Sequence, residues 1–237
     1  MNNSNNTNFY FGISDDKIYI CFLDYGKNEF KKCLNFDIPD NLTNNLNFKI
    51  ILNLLKENVR ILEKKLDLFI NNGNISIQSK SYQSILFSIK DIFDDRDLDK
   101  EVIIKLIRSA MQQFNNCEKN LTILHVIINK YIIDNKVYNS FPDCKKFKKI
   151  ILELEFVCLN KNLINKVKNL FNECKIDIKK IVSHDYAKKF LNNQEDDTLC
   201  FSAYKILSGV NQSEVILTEN TSKKQSLFNK IFNFFDS

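Results

Sequence analysis

The 237-residue sequence predicts a mixed α/β fold, and three observations lead to that prediction. Short runs of apolar or alternating residues predict β-strands, and apolar residues at three- and four-residue steps predict helices. The two kinds of segment alternate along the chain, which is typical of sheets covered by helices. Hydrophobic residues make up 44% of the chain and charged residues 27%, as in an ordinary globular protein.

The N-terminal part predicts a small antiparallel unit followed by a helix. Residues 1–8 are rich in Asn and contain no apolar stretch, so they are predicted to be a disordered leader. Two apolar runs predict a hairpin over residues 9–23, and residues 29–38 are predicted to return as a third strand. Helical spacing predicts the first helix from residue 47 to residue 65.

The middle of the chain predicts strands around a second helix. Short strands are expected at residues 66–70, 75–78 and 84–89, where turn residues separate the apolar runs. The acidic segment 94–99 predicts a helix start, because negative charge stabilises the positive end of the helix dipole. Long strands are predicted at residues 121–133 and 147–159.

The C-terminal part returns to helical spacing and then becomes polar. The predicted elements are a helix at 161–174, a strand at 176–182, and helices at 183–191 and 199–207. Residues 210–225 are predicted to be a linker.

Charge and cysteine patterns exclude several classes of protein. The net charge of +5 comes from Lys residues spread among 29 acidic residues, so no nucleic-acid stripe is expected. No run of 18 apolar residues predicts a membrane-spanning helix. The seven cysteines form no C-x-x-C pair and no metal-type spacing, so we expect reduced thiols, no metal site and a cytosolic protein.

One segment carries a family resemblance. Residues 121–134, L-T-I-L-H-V-I-I-N-K-Y-I-I-D, resemble the V-L-H-V-I-P-x-x-Y-x-I-D signature of the bacterial cell-division protein FtsA family, with Ile128 where the family has Pro. Residues 160–174 resemble that family's N-x-x-x-N-I-x-x-x-V-x-x-C-G helix, and residues 71–78 resemble its S-G-x-H-I turn. The resemblance covers residues 9–207 and is strongest over 97–182.

The resemblance implies a partial actin-like fold. Residues 9–65 and 161–209 would form the first actin-like lobe, and residues 66–160 would form the small subdomain inserted into it. The second lobe is expected to be missing, because too few residues follow Leu191 to build it. A C-terminal amphipathic helix at residues 226–237 completes the predicted organisation.

The departures from the family predict a protein without ATPase activity and without a cofactor. Actin-like ATPases bind phosphate through D-x-G-[TS] and D-x-G-G-G-T loops, where glycines let backbone N–H groups approach the ligand. The corresponding turn here is Gly12-Ile13-Ser14-Asp15-Asp16-Lys17, which has no turn glycine, and the second loop is absent. Asp15 and Asp16 are therefore expected to be plain turn residues.

Neither histidine predicts catalysis. His125 lies among apolar residues of a predicted strand, so a structural role is expected. His184 precedes Asp185, but no nucleophile or glycine-rich loop accompanies the pair. We therefore predict that the protein is not an enzyme.

Residues 226–237 form the clearest amphipathic pattern. At 100° per residue, the apolar side chains share one arc of about 160°. The predicted membrane-binding residues are Leu227, Phe228, Ile231, Phe232, Phe234 and Phe235, with Lys223, Lys224 and Lys230 facing anionic headgroups. The alternative is a helix packed on its own domain, which the polar linker and the dense Phe content disfavour.

The sequence thus predicts an FtsA-like adaptor, peripheral on the cytoplasmic side of the bacterial inner membrane. Its predicted partners are the lipid surface, divisome proteins that are FtsN-like or FtsZ-associated, and further copies of the chain. Direct FtsZ binding is placed in doubt by the missing lobe, and no nucleic acid is expected. The alternatives are a PilM-like scaffold of a pilus or secretion system, or a degenerate nucleotide-binding enzyme.

Overall fold

The chain divides into two bodies, each built on one β-sheet. In the computed structural model the described residues are 7–24, 29–38, 48–143, 146–191 and 199–215. The described residues of Met1–Tyr82 and Leu159–Val210 form the first body, and those of Gln83–Cys158 and Asn211–Ser237 form the second. The predicted fold class, mixed α/β, is confirmed.

The first body contains a five-stranded mixed sheet. Its strands are β1 (Thr7–Ile13), β2 (Lys17–Asp24), β3 (Glu29–Asp37), β4 (Asn72–Ile77) and β9 (Asp177–Ser183), in the order β3-β2-β1-β4-β9. The first three strands pair antiparallel, which confirms the predicted hairpin and its third strand. β4 pairs parallel with both β1 and β9.

Helices cover both faces of this sheet. They are α1 (Phe48–Leu66), α3 (Lys161–Glu173), the single turn α4 (His184–Ala187) and α5 (Leu199–Leu207). Successive strand residues face opposite sides. Phe11 therefore contacts Phe171 of α3, with ring centroids 4.8 Å apart, while Gly12 faces α5. A Cβ at Gly12 would lie 2.4 Å from Leu199 Cβ, so the lack of a side chain allows α5 to approach β1 closely.

The second body contains a four-stranded sheet and one helix. The strands are β5 (Gln83–Arg96), β6 (Leu121–Ile133), β7 (Lys136–Tyr138) and β8 (Phe147–Asn160), in the order β5-β8-β6-β7, and the helix is α2 (Lys100–Cys117). As predicted, α2 begins at an acidic segment, where the Asp99 carboxylate accepts a hydrogen bond from Val102 N. Its buried face packs into the core with alternate residues of β8.

The chain enters and leaves the second body at neighbouring positions. Gln83 and Cys158 are directly opposite each other in the β5–β8 pairing. Insertion of one domain into another is tolerated when the ends of the inserted part lie close together. A lobe interrupted by an inserted body agrees with the partial actin-like fold that the resemblance implied.

The strand predicted at residues 66–70 is wrong. α1 continues to Leu66, and Asp67 takes a left-handed conformation with φ of 52°. The backbone N–H groups of Leu68 and Ile70 then donate to the carbonyl and side chain of Glu63, respectively. These backbone N–H groups therefore bond to the C-terminal end of α1 instead of pairing with a neighbouring strand.

Two further boundaries differ from the sequence prediction. Residues 66–82, predicted as part of the inserted subdomain, lie in the first body because β4 pairs with β1. Residues 7 and 8, predicted as part of the disordered leader, belong to β1, and residues 1–6 lie outside the described residues.

The start of the predicted linker is also structured. Ile128 N donates to Ser213 O at 2.9 Å, and Val215 N donates to Val126 O at 2.8 Å. Residues 213–215 therefore extend the second sheet beside β6, and Val215 packs against its core. Residues 216–225 of the predicted linker and the amphipathic segment 226–237 lie outside the described residues.

Among the described residues, no helix combines the length and apolar content that crossing a bilayer would require.

We predict that Gly12→Ala lowers the free energy of unfolding by about 1–3 kcal/mol, because the added methyl group overlaps Leu199. Urea denaturation followed by circular dichroism measures this. Asn35→Ala, at an exposed position in β3, should change stability by less than about 0.5 kcal/mol. Equal stability of Gly12→Ala and the wild type would contradict the close packing of α5 on β1.

Candidate binding pocket

The carboxyl ends of β1 and β4 meet at one edge of the first sheet. Ile13 and Ile77 are partners in the parallel register, and Gln78 N donates to Ile13 O at 2.9 Å. Ligands of open α/β sheets bind outside the carboxyl ends of the strands. This edge of the first body is therefore the expected place for a site.

A pocket of about 130 Å³ opens at this edge. Its walls are mostly branched apolar side chains from the strand ends and the two helices, namely Ile13, Ile18, Ile38, Ile51, Ile77, Leu163, Val167 and Leu170. The polar lining residues are Ser14, Asp15, Gln78, Ser79 and Lys166.

The pocket has the size of one side chain rather than of a cofactor. Pockets for drug-sized ligands usually measure about 300–1,000 Å³. An apolar cavity of about 150 Å³ accommodates a benzene molecule. The pocket at β1 and β4 can therefore take one aromatic ring or one branched aliphatic group, and its polar lining residues can bond to the backbone that carries that group.

The turn between β1 and β2 is held by hydrogen bonds to the side chain of Ser14, its first residue. Ser14 Oγ lies 2.7 Å from Asp16 Oδ1 and accepts a hydrogen bond from Lys17 N at 3.0 Å. Ser14 N donates to Lys17 O at 2.9 Å. Two backbone N–H groups of the turn are therefore engaged within it, and Asp16 has the turn role that the sequence predicted.

The turn does not fit a triphosphate. Asp15 and Asp16 are exposed at its tip, where their carboxylates would repel phosphate oxygens. Lys166 is the one cation among the pocket-lining residues, and Asp15 brings the opposite charge. Lys17 pairs with Asp37 at 3.7 Å on the surface, where such a pair contributes little.

Three polar side chains are buried together in the first body. Ser202 Oγ donates to Leu199 O at 2.7 Å and lies 2.8 Å from Ser76 Oγ and 3.1 Å from His184 Nδ1. With the Ser202 proton donated to Leu199 O, the lone pairs of Ser202 Oγ can accept hydrogen bonds from Ser76 Oγ and His184 Nδ1. All three residues are at most 3% exposed, so the network lies in the interior of the first body.

A hydrogen bond between Asp185 and Ser79 connects α4 to the segment that follows β4. Asp185 Oδ2 accepts from Ser79 N at 3.2 Å, and Ser79 Oγ lies 2.8 Å from Ser81 Oγ. Asp185, which follows His184 in sequence, therefore bonds to the backbone at the exit of β4.

His125 lies in the second body, and its side chain contacts Glu214, near the C-terminal end of the described residues. Its Nδ1 is 2.7 Å from Glu214 Oε1, and the two side chains are 3% and 11% exposed. Glu214 belongs to the segment that extends the second sheet. His125 is therefore a buried strand residue of the second sheet, as the sequence predicted.

The groups with shifted pKa values lie outside the pocket. Burial raises the pKa of the Cys158 thiol to about 12, with a smaller contribution from the Glu118 carboxylate. Burial also raises the pKa of Cys174 to about 11 and that of Tyr131 to about 12. Both thiols are protonated at neutral pH and are poor nucleophiles.

The nine membrane-binding residues predicted from the sequence, Lys223 to Phe235, all lie outside the described residues. Within the described chain, no three His, Cys, Asp or Glu side chains are grouped so that they could hold a metal. The sequence did not predict the pocket. The available signal was the polar run 78–81 directly after an apolar strand.

No family model matches the chain, and no curated protein matches it. A solved protein of unknown function with an actin-like ATPase fold from Bacteroides thetaiotaomicron is 12% identical, with a TM-score of 0.32 over 80% of this chain and 60% of that chain. The cytoplasmic domain of EpsL, an inner membrane component of the type II secretion system of Vibrio cholerae, is 8% identical, with a TM-score of 0.35 over 79% and 59%. A chain of the PilM–PilN type IV pilus biogenesis complex is 8% identical, with a TM-score of 0.47 over 76% and 48%.

The chain therefore covers 48–60% of the length of these three structures. None of the three is described as FtsA, so membership of that family stays a proposal.

We predict that the pocket binds indole, which has the size and apolar character of one aromatic side chain. Indole should shift the methyl NMR signals of Ile77 and Leu163. Val167→Phe should abolish these shifts because the larger side chain fills the pocket. Ile61→Phe, at a half-exposed position of α1, is the matched control and should leave binding unchanged. Absent shifts in the wild type, or persisting shifts in Val167→Phe, would contradict the prediction.

Proposed function

We propose that this chain is a non-enzymatic scaffold that binds the cytoplasmic face of a bacterial inner membrane and assembles with other proteins there. The first body is proposed to be an actin-like lobe that no longer holds a nucleotide. The inserted second body is proposed to present binding surfaces to partners.

The closed turn between β1 and β2 carries the proposal. A phosphate-binding turn needs free backbone N–H groups directed at the ligand. Here Ser14 N and Lys17 N bond within the turn, and the exposed carboxylates of Asp15 and Asp16 add negative charge. These features support a scaffold over an ATPase.

The amphipathic segment 226–237 supports membrane binding. Six large apolar side chains would contribute about 9–18 kcal/mol if fully buried, at about 1.5–3 kcal/mol each. Interfacial insertion buries them only in part, and ordering each residue costs about 1 kcal/mol or more. The proposed membrane binding is therefore reversible, and firm attachment needs a second contact.

Two kinds of assembly are proposed. A PilM-like scaffold of a pilus or secretion system grips a peptide of an inner-membrane protein, and a pocket sized for one apolar side chain favours this candidate. An FtsA-like divisome adaptor is favoured by the resemblance of residues 121–134 and by the amphipathic tail. Co-purification from the native cell distinguishes them, by recovery of pilus or secretion proteins or of division proteins.

We predict that the full-length chain sediments with vesicles that contain anionic phospholipid. Phe232→Glu should lower the bound fraction strongly, because it places a charge on the apolar face of the helix. Asn233→Glu adds the same charge on the polar face and should bind more tightly than Phe232→Glu. A wild-type chain that stays in the supernatant, or equal loss in both variants, would overturn the membrane part of the proposal.

A further inference from the structure

β5 forms one edge of the sheet in the second body. Among the described strands it pairs only with β8. The pairing runs without a break from Gln83 to Ile92, and a register shift occurs only between Ile92 and Arg96. Within the described residues, one side of a ten-residue stretch of backbone therefore has no neighbouring strand.

This edge lacks the usual protection against pairing. Natural edge strands are commonly short, bulged, or interrupted by Pro and several charges. β5 has 14 residues and no Pro, and its unbroken part contains one Lys and one Asp, Lys90 and Asp91. Leu86 and Ile92 are 75% and 66% exposed. They lie on the same face of the strand because they are an even number of positions apart.

We propose that β5 pairs antiparallel with β5 of a second copy of this chain, around a two-fold axis at Ile89. In this register Leu86 lies opposite Ile92 of the second copy, and the symmetry repeats that pair on the other side of the axis. Directly opposite apolar residues in antiparallel strands stabilise the pairing. The two exposed large hydrophobic side chains of the strand thereby cover each other.

The charges of β5 favour this register over its neighbours. A two-fold axis perpendicular to the sheet places the same face of both strands on the same side. Paired residues must therefore be an even number of positions apart, so the alternative registers move the axis by one residue at a time. An axis at Lys90 or at Asp91 places like charges directly opposite, and an axis at Ser88 places Leu86 opposite Lys90. With the axis at Ile89, Lys90 lies opposite Ser88, which is uncharged.

The β5 dimer goes beyond the proposed function and does not depend on membrane binding. Sedimentation velocity of the full-length chain without lipid tests it separately. We expect a concentration-dependent dimer, and Leu86→Lys or Ile92→Glu should each raise the dimer dissociation constant roughly tenfold or more. The double variant should recover most of the affinity, because the new ammonium and carboxylate groups then face each other across the two-fold axis.

Val137→Lys is the matched control. Val137 is 60% exposed on β7, at the other end of the same sheet, so its substitution should leave the dimer intact. Circular dichroism confirms that each variant is folded. A wild-type chain that is monomeric at all concentrations would overturn the inference without affecting the membrane proposal. Failure of the double variant to recover affinity, or equal weakening by Val137→Lys, would also overturn it.

Discussion

The parallel pairing of β4 with β1 and β9 is the constraint on which the first body depends. β4 belongs to the part of the chain before the insertion, and β9 belongs to the part after it. The pairing of β4 with strands on both sides therefore joins two segments that are separated by the whole second body in sequence. The buried Ser76 hydroxyl adds a side-chain link to Ser202, on the far side of the insertion.

Close approach of the backbone makes this arrangement possible. A Cβ at Gly73 of β4 would lie 2.5 Å from the ring of Phe11, just as a Cβ at Gly12 would meet α5. Both positions need glycine for space rather than for an unusual backbone conformation, since neither has a positive φ. The chain contains four glycines, and two of them are used where the central strands contact their neighbours.

The same pairing also places the pocket. Because β1 and β4 are parallel, Ser14 and Gln78 leave the sheet at the same edge, and α1 and α3 contribute the remaining walls. The turn that begins at Ser14 uses its hydroxyl for internal hydrogen bonds, so the edge offers an apolar pocket beside a closed, acidic turn. In the proposed scaffold, this arrangement takes a side chain of a protein partner rather than a nucleotide.

Local patterns in the sequence predicted most elements but not their contacts. The hairpin, α1, α2 and the long strands follow from apolar spacing and from capping residues such as Asp99. The strand predicted at residues 66–70 failed because a single side chain, Glu63, bonds the backbone beyond the helix end. Pairing of residues 213–215 with β6 was not predicted, because Glu214 meets His125 across 89 residues of sequence. The pocket likewise combines residues from distant segments, which spacing along the chain does not reveal.

The scaffold proposal requires a first body that keeps an actin-like lobe without nucleotide binding. Thermal unfolding of the full-length chain with and without Mg·ATP tests this most directly, because a ligand that binds the folded state raises the unfolding temperature. We expect the same unfolding temperature at every concentration of Mg·ATP. A saturable rise in that temperature, specific to the nucleotide, would contradict the proposal.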